Sequence, residues 1–489
     1  VSHPALSRTG HAPWALTAGA LGVLLGVAVL WAGRVSATWV LLVGAAGCLP
    51  LLFLLLGSMR QAFRALLILS LTMTLDVFIG YSDRFQTVRP GVPITLSALV
   101  LVCLYGAEVL AAILRKSSFR APASVTIPFG LLVAWAALSI LVAPEPGYVL
   151  QAMPGYVTSF LICLYAVQLT RGTANLRFTV TCIALAVLMS GLVGLLQYVT
   201  GGWPSPGLLG GRESEVVQSY QRVPLSRVSG LLSHPNTFAV LLNGLLPLVL
   251  ALAFVVKPRI LRVLCVGAFL LGAIAMLLTY SRAGWTSFAV SIALLLIVIP
   301  KRRWHPGLGT ALIAVVMVSV VTIILAATPL YARVTTRLME DDQGAGRSRI
   351  PLAAASVDLI RQHPFTGVGV GNYKFASPIV ADERGVLLVA EDDMPMRVHN
   401  LFLLTAAELG LPGLLLLLTI IVLFFAKAIR AARAGDEFQT TVAIGLACGL
   451  VANLTHSMFE PATLADASYL TLSFLGGCMT GLGDEVGAP

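Results

Sequence analysis

Charge is what this chain has least of: Lys, Arg, Asp and Glu make up 11% of its 489 residues, against 57% hydrophobic residues and a mean hydropathy of +0.90. So little polar surface cannot cover a water-soluble globule of this size, which leaves a polytopic membrane protein. Cysteine is also scarce. All seven (Cys48, Cys103, Cys163, Cys182, Cys265, Cys448 and Cys478) lie inside apolar stretches, where neither a loop disulfide nor a zinc cluster is expected. His234, His363, His399 and His456 stand singly, without a His-x-x-x-His spacing, so no metal site is expected. No Gly-rich phosphate loop runs into Lys-Ser/Thr, and no cytosolic stretch is long enough to hold a nucleotide domain.

What the chain has in abundance is long apolar runs. A spanning helix needs roughly 20 apolar residues. On that rule about fourteen spans are predicted, near 14–33, 38–57, 63–81, 94–114, 125–143, 149–170, 178–200, 237–256, 260–280, 283–300, 308–328, 401–426, 438–458 and 465–483. The first has no small-residue cleavage site and is followed at once by a second span, so it reads as a helix and not a signal peptide. Basic residues in the short loops set the orientation: Arg60 and Arg64, Arg115 to Arg120, Arg171 and Arg177, Lys257 to Arg262, Lys301 to Arg303, and Lys427 to Arg433 all fall on one side. That side is cytoplasmic by the positive-inside rule, and it takes both termini with it. The expected fold is therefore all-α, with N-terminal spans over 1–200, an extracytoplasmic loop at 201–236 and central spans over 237–328. A large, partly helical extracytoplasmic loop at 329–398 and C-terminal spans over 399–489 complete it.

The net charge of +10 might suggest nucleic acid, but its distribution over membrane loops points away from that partner. Both long outer loops are basic. Arg222 and Arg227 lie in the first, and Arg349 and Arg397 in the second, which ends where Arg397-Val-His-Asn400 opens a membrane helix. Arginine grips phosphate in a fork, so a lipid phosphate arriving from the outer leaflet is a natural ligand. Most loop arginines are expected to pair with the loop's own acids, among them Glu340, Asp341, Asp382 and Glu391. At a helix start the unpaired N–H groups disfavour an imidazolium, and Arg397 acts in the same sense, so His399 is expected to be neutral and able to accept a proton. Alternatively His399 and Asn400 only cap the helix. Glu408, nine residues on, lies on the opposite side of a straight helix, and Gly410, Pro412 and Gly413 predict a break just after it. Gly367-Val-Gly-Val-Gly-Asn-Tyr373 follows no strand and opens no βαβ unit. It reads as a tight turn after a short helix at 351–362, letting backbone approach another loop or a ligand.

Four segments then occur in a recognisable order. Arg227-Val-Ser-Gly-Leu-Leu-Ser-His-Pro-Asn236 leads into one helix and Tyr280-Ser-Arg-Ala-Gly-Trp285 joins two. Arg349 leads into Arg361-Gln-His-Pro-Phe-Thr-Gly-Val-Gly-Val-Gly-Asn-Tyr373, and His399-Asn-Leu-Phe-Leu is followed by Glu408-Leu-Gly-Leu-Pro-Gly413. Over about 220–460 the chain resembles the O-antigen ligase and polymerase superfamily; it has Ala353 where members often carry Trp. The resemblance implies a GT-C-like membrane glycosyltransferase, working without cofactor or metal in the bacterial cytoplasmic membrane. The donor would be a glycan on undecaprenyl pyrophosphate. The acceptor would be a lipid A core or a second lipid-linked repeat. By motif, His399 would be the base and Arg227 and Arg282 the pyrophosphate ligands. Arg349, Arg222 and Arg397 stand behind them, with Asn236, Tyr373 and Asn400 as sugar contacts. The large loop would cap a cleft open to the bilayer and move until donor binds. A rival reading, a proton-coupled flippase of polyisoprenyl-linked sugars, draws on the acids Asp76, Glu108 and Asp466 within the spans.

Overall fold

In a computed structural model, residues 58–74, 76–79, 92–114, 119–201, 227–299, 345–377, 397–460 and 467–486 are described. They form α1 (Met59–Ser70), β1 (Asp76–Ile79), β2 (Val92–Thr95), α2 (Leu96–Ile113), α3 (Ala123–Leu138), α4 (Pro146–Leu169), α5 (Thr173–Thr200), α6 (Pro235–Val255), α7 (Arg259–Leu278) and α8 (Arg282–Val298). α9 (Ala345–Gln362), α10 (Leu401–Ala434), α11 (Glu437–Ser457) and α12 (Ala467–Glu485) complete the chain. Among these residues, eight helices are long and apolar enough to cross a membrane: α2, α3 with the turn that extends it, α4, α5, α6, α7, α10 and α11. α8 is apolar but shorter, at 17 residues. The predicted spans 14–33, 38–57 and 308–328, with Arg222 and Asp466, lie outside the described residues.

One predicted span is corrected. The apolar run at 63–81 is helical only to Ser70, where the hydroxyls of Ser70 and Thr72 turn back onto the carbonyls of Leu67 and Leu69. The chain is then captured elsewhere: Thr74 N–H donates to Leu231 O at 2.9 Å, and β1 pairs antiparallel with β2, Asp76 opposite Thr95. Hydropathy alone does not separate a short apolar strand from a helix turn. Among the described residues this two-stranded ribbon is the one sheet in a helical fold.

α6 is the hub. Of its most apolar 18-residue window 89% is buried inside the protein, and α11 lies directly along it. The two backbones meet where a side-chain carbon on Gly449 would sit 2.0 Å from Gly244 O, so only small residues permit the contact. The outer helices turn apolar faces outward, Ile260 being 87% exposed, as a lipid environment allows. Two other ends are fixed locally. Thr95 accepts the Ala98 N–H at the start of α2, and Asp436 and Gln439 exchange bonds in a capping box at the start of α11.

The described part of the large loop is not a loose flap. Its residues Leu352, Leu359, Val368 and Tyr373 form a small core of their own with Val398, Leu404 and Ala407 of the α10 segment. Val370 N–H donates to Ser139 Oγ at 3.1 Å, and Asn372 Oδ1 accepts the Glu145 N–H at 2.8 Å, which ties the loop to the α3–α4 connection.

Candidate active site

Three helices begin at one end of the bundle, each with its cap supplied by a polar side chain. His234 Nδ1 accepts the Asn236 N–H at 3.0 Å for α6, Ser281 Oγ accepts the Gly284 N–H at 3.1 Å for α8, and Asn400 Oδ1 accepts the N–H groups of Phe402 and Leu403 at 3.0 Å for α10. These starts place His399 and Arg282 at the positive ends of helix dipoles, in a setting suited to an anion.

Two sets of bonds, which meet at the 458–460 backbone, link the three. Arg227 Nε donates to Thr279 O at 2.7 Å, three residues before Arg282, and Arg227 Nη2 donates to Asn236 Oδ1 at 2.6 Å. Asn236 Nδ2 in turn donates to Glu460 Oε1. Two residues earlier, Met458 O accepts from Asn400 Nδ2 at 3.4 Å, next to His399. The arrangement fixes the plane of the Arg227 guanidinium between α6 and α7, while Arg282 is exposed on the first turn of α8. Asn236 and Asn400, read from sequence as sugar contacts, are committed at least in part to Arg227, Glu460 and the α10 cap.

His234 is the residue that the sequence motif contained without singling out. Burial, the Arg227 charge and then His399 push its pKa down to about 4, so it is neutral at pH 7. Its bond from Asn236 N–H requires Nδ1 unprotonated, which puts the ring proton on Nε2. His456 is fully buried near the end of α11, inside the bundle and not at its surface.

Tyr373 is placed differently from expectation. Fully buried, it shares a 2.8 Å hydrogen bond with Ser356 Oγ and has its hydroxyl 2.9 Å from Leu352 O, and burial lifts its pKa to about 12. It holds the loop core and does not face a cleft. Its neighbour Lys374, one loop cation among many in the sequence, lies 3.9 Å from the Tyr148 ring centroid. Burial foremost, then the Arg397 charge, push its pKa down to about 7, with Glu408 acting in the opposite sense. The signal for it was its position directly after the Gly367–Tyr373 turn. Arg349 falls on α9.

The glycine turn has a partner that only the structure reveals. α10 kinks at Gly410, with φ 69° and ψ −177°, which opens the carbonyls before it. Val368 N–H takes Ala407 O at 2.9 Å, Gly369 N–H takes Glu408 O at 2.9 Å, and Trp135 Nε1 of α3 takes Leu409 O at 2.9 Å. Leu411 N–H donates back to Pro364 O at 2.7 Å. The break expected after Glu408 is present, and the close backbone approach expected of the turn is to this kink.

Residues 267–418 match the family model described as O-antigen ligase. Over that stretch the chain is similar to the O-antigen ligase family. The matched stretch contains Arg282, His399, the Gly367–Gly371 turn and the Gly410 kink; Arg227 and Asn236 precede it. No curated protein matches the chain. With eight helices among the described residues long and apolar enough to cross a membrane, the chain is a multi-pass membrane protein.

Proposed function

We propose that the protein transfers a glycan from undecaprenyl pyrophosphate to a hydroxyl of an acceptor sugar on the outer face of the bacterial cytoplasmic membrane. The observation that carries this reading is the bonded series from Thr279 through Arg227 and Asn236 to Glu460, with Asn400 joined to the same α11 end. It sets a guanidinium, a second arginine and a histidine at adjoining helix starts. In the reaction, the bond between the sugar's anomeric carbon and the pyrophosphate oxygen breaks as the acceptor oxygen bonds that carbon. His399 takes the acceptor's proton. Undecaprenyl pyrophosphate leaves with the bonding electrons, its charge met by Arg227 and Arg282, with Arg397, Arg349 and Arg222 as further candidates. The pyrophosphate is a good leaving group, so the protein's work is charge neutralisation and activation of one hydroxyl.

Purified protein given a lipid-pyrophosphate repeat tests the reading. A ladder formed from the repeat alone identifies a polymerase, and a single shifted band on added lipid A core identifies a ligase. His399→Ala and Arg282→Ala are expected to stay in the membrane and lose transfer, by about a hundredfold or more for each. Unchanged product from either variant removes that residue from the mechanism.

A further inference from the structure

At the other end of the bundle lies a cavity that the transfer reaction does not use. α5 connects the two ends: Gln197, near its last turn, accepts the N–H groups of Ser229 and Gly230 beside Arg227, whereas Asn175, in its first turn, lines the cavity. Twenty-two residues of helix separate them by roughly 33 Å. The cavity measures about 270 Å³ and is lined by Arg60, Arg64, Glu108, Gln168, Arg171 and Asn175, with Phe119 and Gly172.

Its charge is unbalanced. Three guanidinium groups face one carboxylate, and Glu108 is paired with Arg60 at 3.6 Å. Glu485, whose Oε2 accepts the Gly172 N–H at 2.8 Å, brings a second carboxylate to the Gly172 wall, which still leaves three cations against two acids. Arg64 is buried, and the partners of its side chain are neutral: Nε donates to Tyr165 OH at 3.4 Å and Nη1 to Asn175 Oδ1 at 3.1 Å. Among the described residues no carboxylate pairs with it. A rim arginine that merely anchors a helix snorkels its head into water. Arg64 does the reverse, and a buried charge held only by neutral groups is costly until an anion joins it. The walls are firm, since the Gln168 amide bonds the Arg120 backbone through both its oxygen and its nitrogen.

We propose that this cavity binds a phosphate anion, either the phosphate of an acidic phospholipid headgroup or free phosphate, at the end of the membrane opposite the transfer site. Basic pockets between helices on the cytoplasmic side take acidic headgroups, and the basic-loop orientation puts this end there. The volume argues against a nucleotide or nucleotide sugar, because pockets for ligands of that size begin at about 300 Å³. Arg64 would hold the anion, with Arg60 partly neutralised by Glu108 and Arg171 adding to the positive potential of the cavity.

The full-length protein, purified and delipidated, tests this by native mass spectrometry with added phosphatidylglycerol or phosphatidylcholine. Phosphatidylglycerol is retained preferentially. Arg60→Gln/Arg171→Gln removes two of the cavity's lining charges and weakens that retention by up to roughly thirtyfold. Both sites are less buried than Arg64, so the variant is expected to fold, with transfer activity unchanged. Glu108→Gln works in the opposite direction and tightens retention, which a purely structural ion pair would not do. A parallel titration with inorganic phosphate separates the two sources: displacement of the lipid by phosphate marks a free-anion site, and retention against it marks a headgroup site. Equal retention of phosphatidylcholine, or no change in either variant, overturns the proposal.

Discussion

The glycine turn on the α10 kink and the polar caps around Arg227 stand near the same end of the bundle, yet they are specified in opposite ways. The turn is held by backbone: three main-chain bonds join 364–369 to 407–411, and the side chains contribute by being absent. A side-chain carbon on Gly367, at φ +64°, would lie 2.3 Å from the Glu408 carbonyl, and one on Gly410, at φ +69°, would lie 2.6 Å from the Phe365 carbonyl carbon. The cap network is held by side chains whose identity matters and whose backbone is ordinary helix start. Shape therefore sets where the loop docks, and chemistry sets what the docked site can bind.

The comparison is tested most severely by adding one methyl group. Gly367→Ala requires a left-handed alanine and a carbonyl displaced by more than 0.5 Å, for a cost of about 3 kcal/mol. The expected result is a lower melting temperature together with loss of glycan transfer, since the loop core around Tyr373 undocks as a unit. Wild-type stability would show that the turn does not bear on the kink. Arg227→Lys probes the other region. Lysine keeps the charge but cannot bridge Thr279 O and Asn236 Oδ1 as a planar fork, so transfer falls by about a hundredfold while stability changes by only about 1 kcal/mol. A parallel fall in stability and activity in both variants would erase the distinction.

How much of this could be read from residues alone follows the same division. The spans α2 through α7, α10 and α11 were legible because apolar length is a local property, and the break after Glu408 was legible from Gly410 and Pro412. Arg227, Asn236, Arg282, His399 and Asn400 were singled out by the four motif segments that resemble the family, and the structure places Asn236, Arg282 and Asn400 at helix starts. What was not legible depends on contacts distant in sequence. Trp135 reaches Leu409 across 274 positions, and the segment after Ser70 is recruited by Leu231, so neither the kink's partners nor the early end of α1 has a local signal. Tyr373 was misjudged for the same reason: a tyrosine in a polar loop looks available until α9 is known to cover it. Glu108, an intramembrane acid that suggested proton coupling, turns out to be paired with Arg60.

A smaller effect is expected at the α10 cap. Asn400→Ala leaves the N–H groups of Phe402 and Leu403 without their side-chain acceptor and costs about 1 kcal/mol, and Asn400→Asp restores it. If the cap also orients His399, transfer recovers with the aspartate; if stability recovers and transfer does not, the amide's donor bond to Met458 O is what matters.

The smallest effect, on pH, joins the two regions through Lys374, which lies between Arg397 of the cap segment and Glu408 of the kink. Its folded pKa, near 7, is below the ordinary 10.5, so between those values the unfolded chain binds the extra proton. Stability contributed here is therefore absent below about pH 7 and grows as pH rises toward 10.5. The melting temperature of the wild type should rise across that window relative to Lys374→Met, in which the titrating group is gone. Arg397→Gln removes a charge that depresses the amine and should narrow the window from below, whereas Glu408→Gln removes the charge that supports the ammonium and should widen it. Parallel curves for wild type and Lys374→Met would mean that the amine is solvated, and that the loop is less closely seated on the kink than its backbone bonds imply.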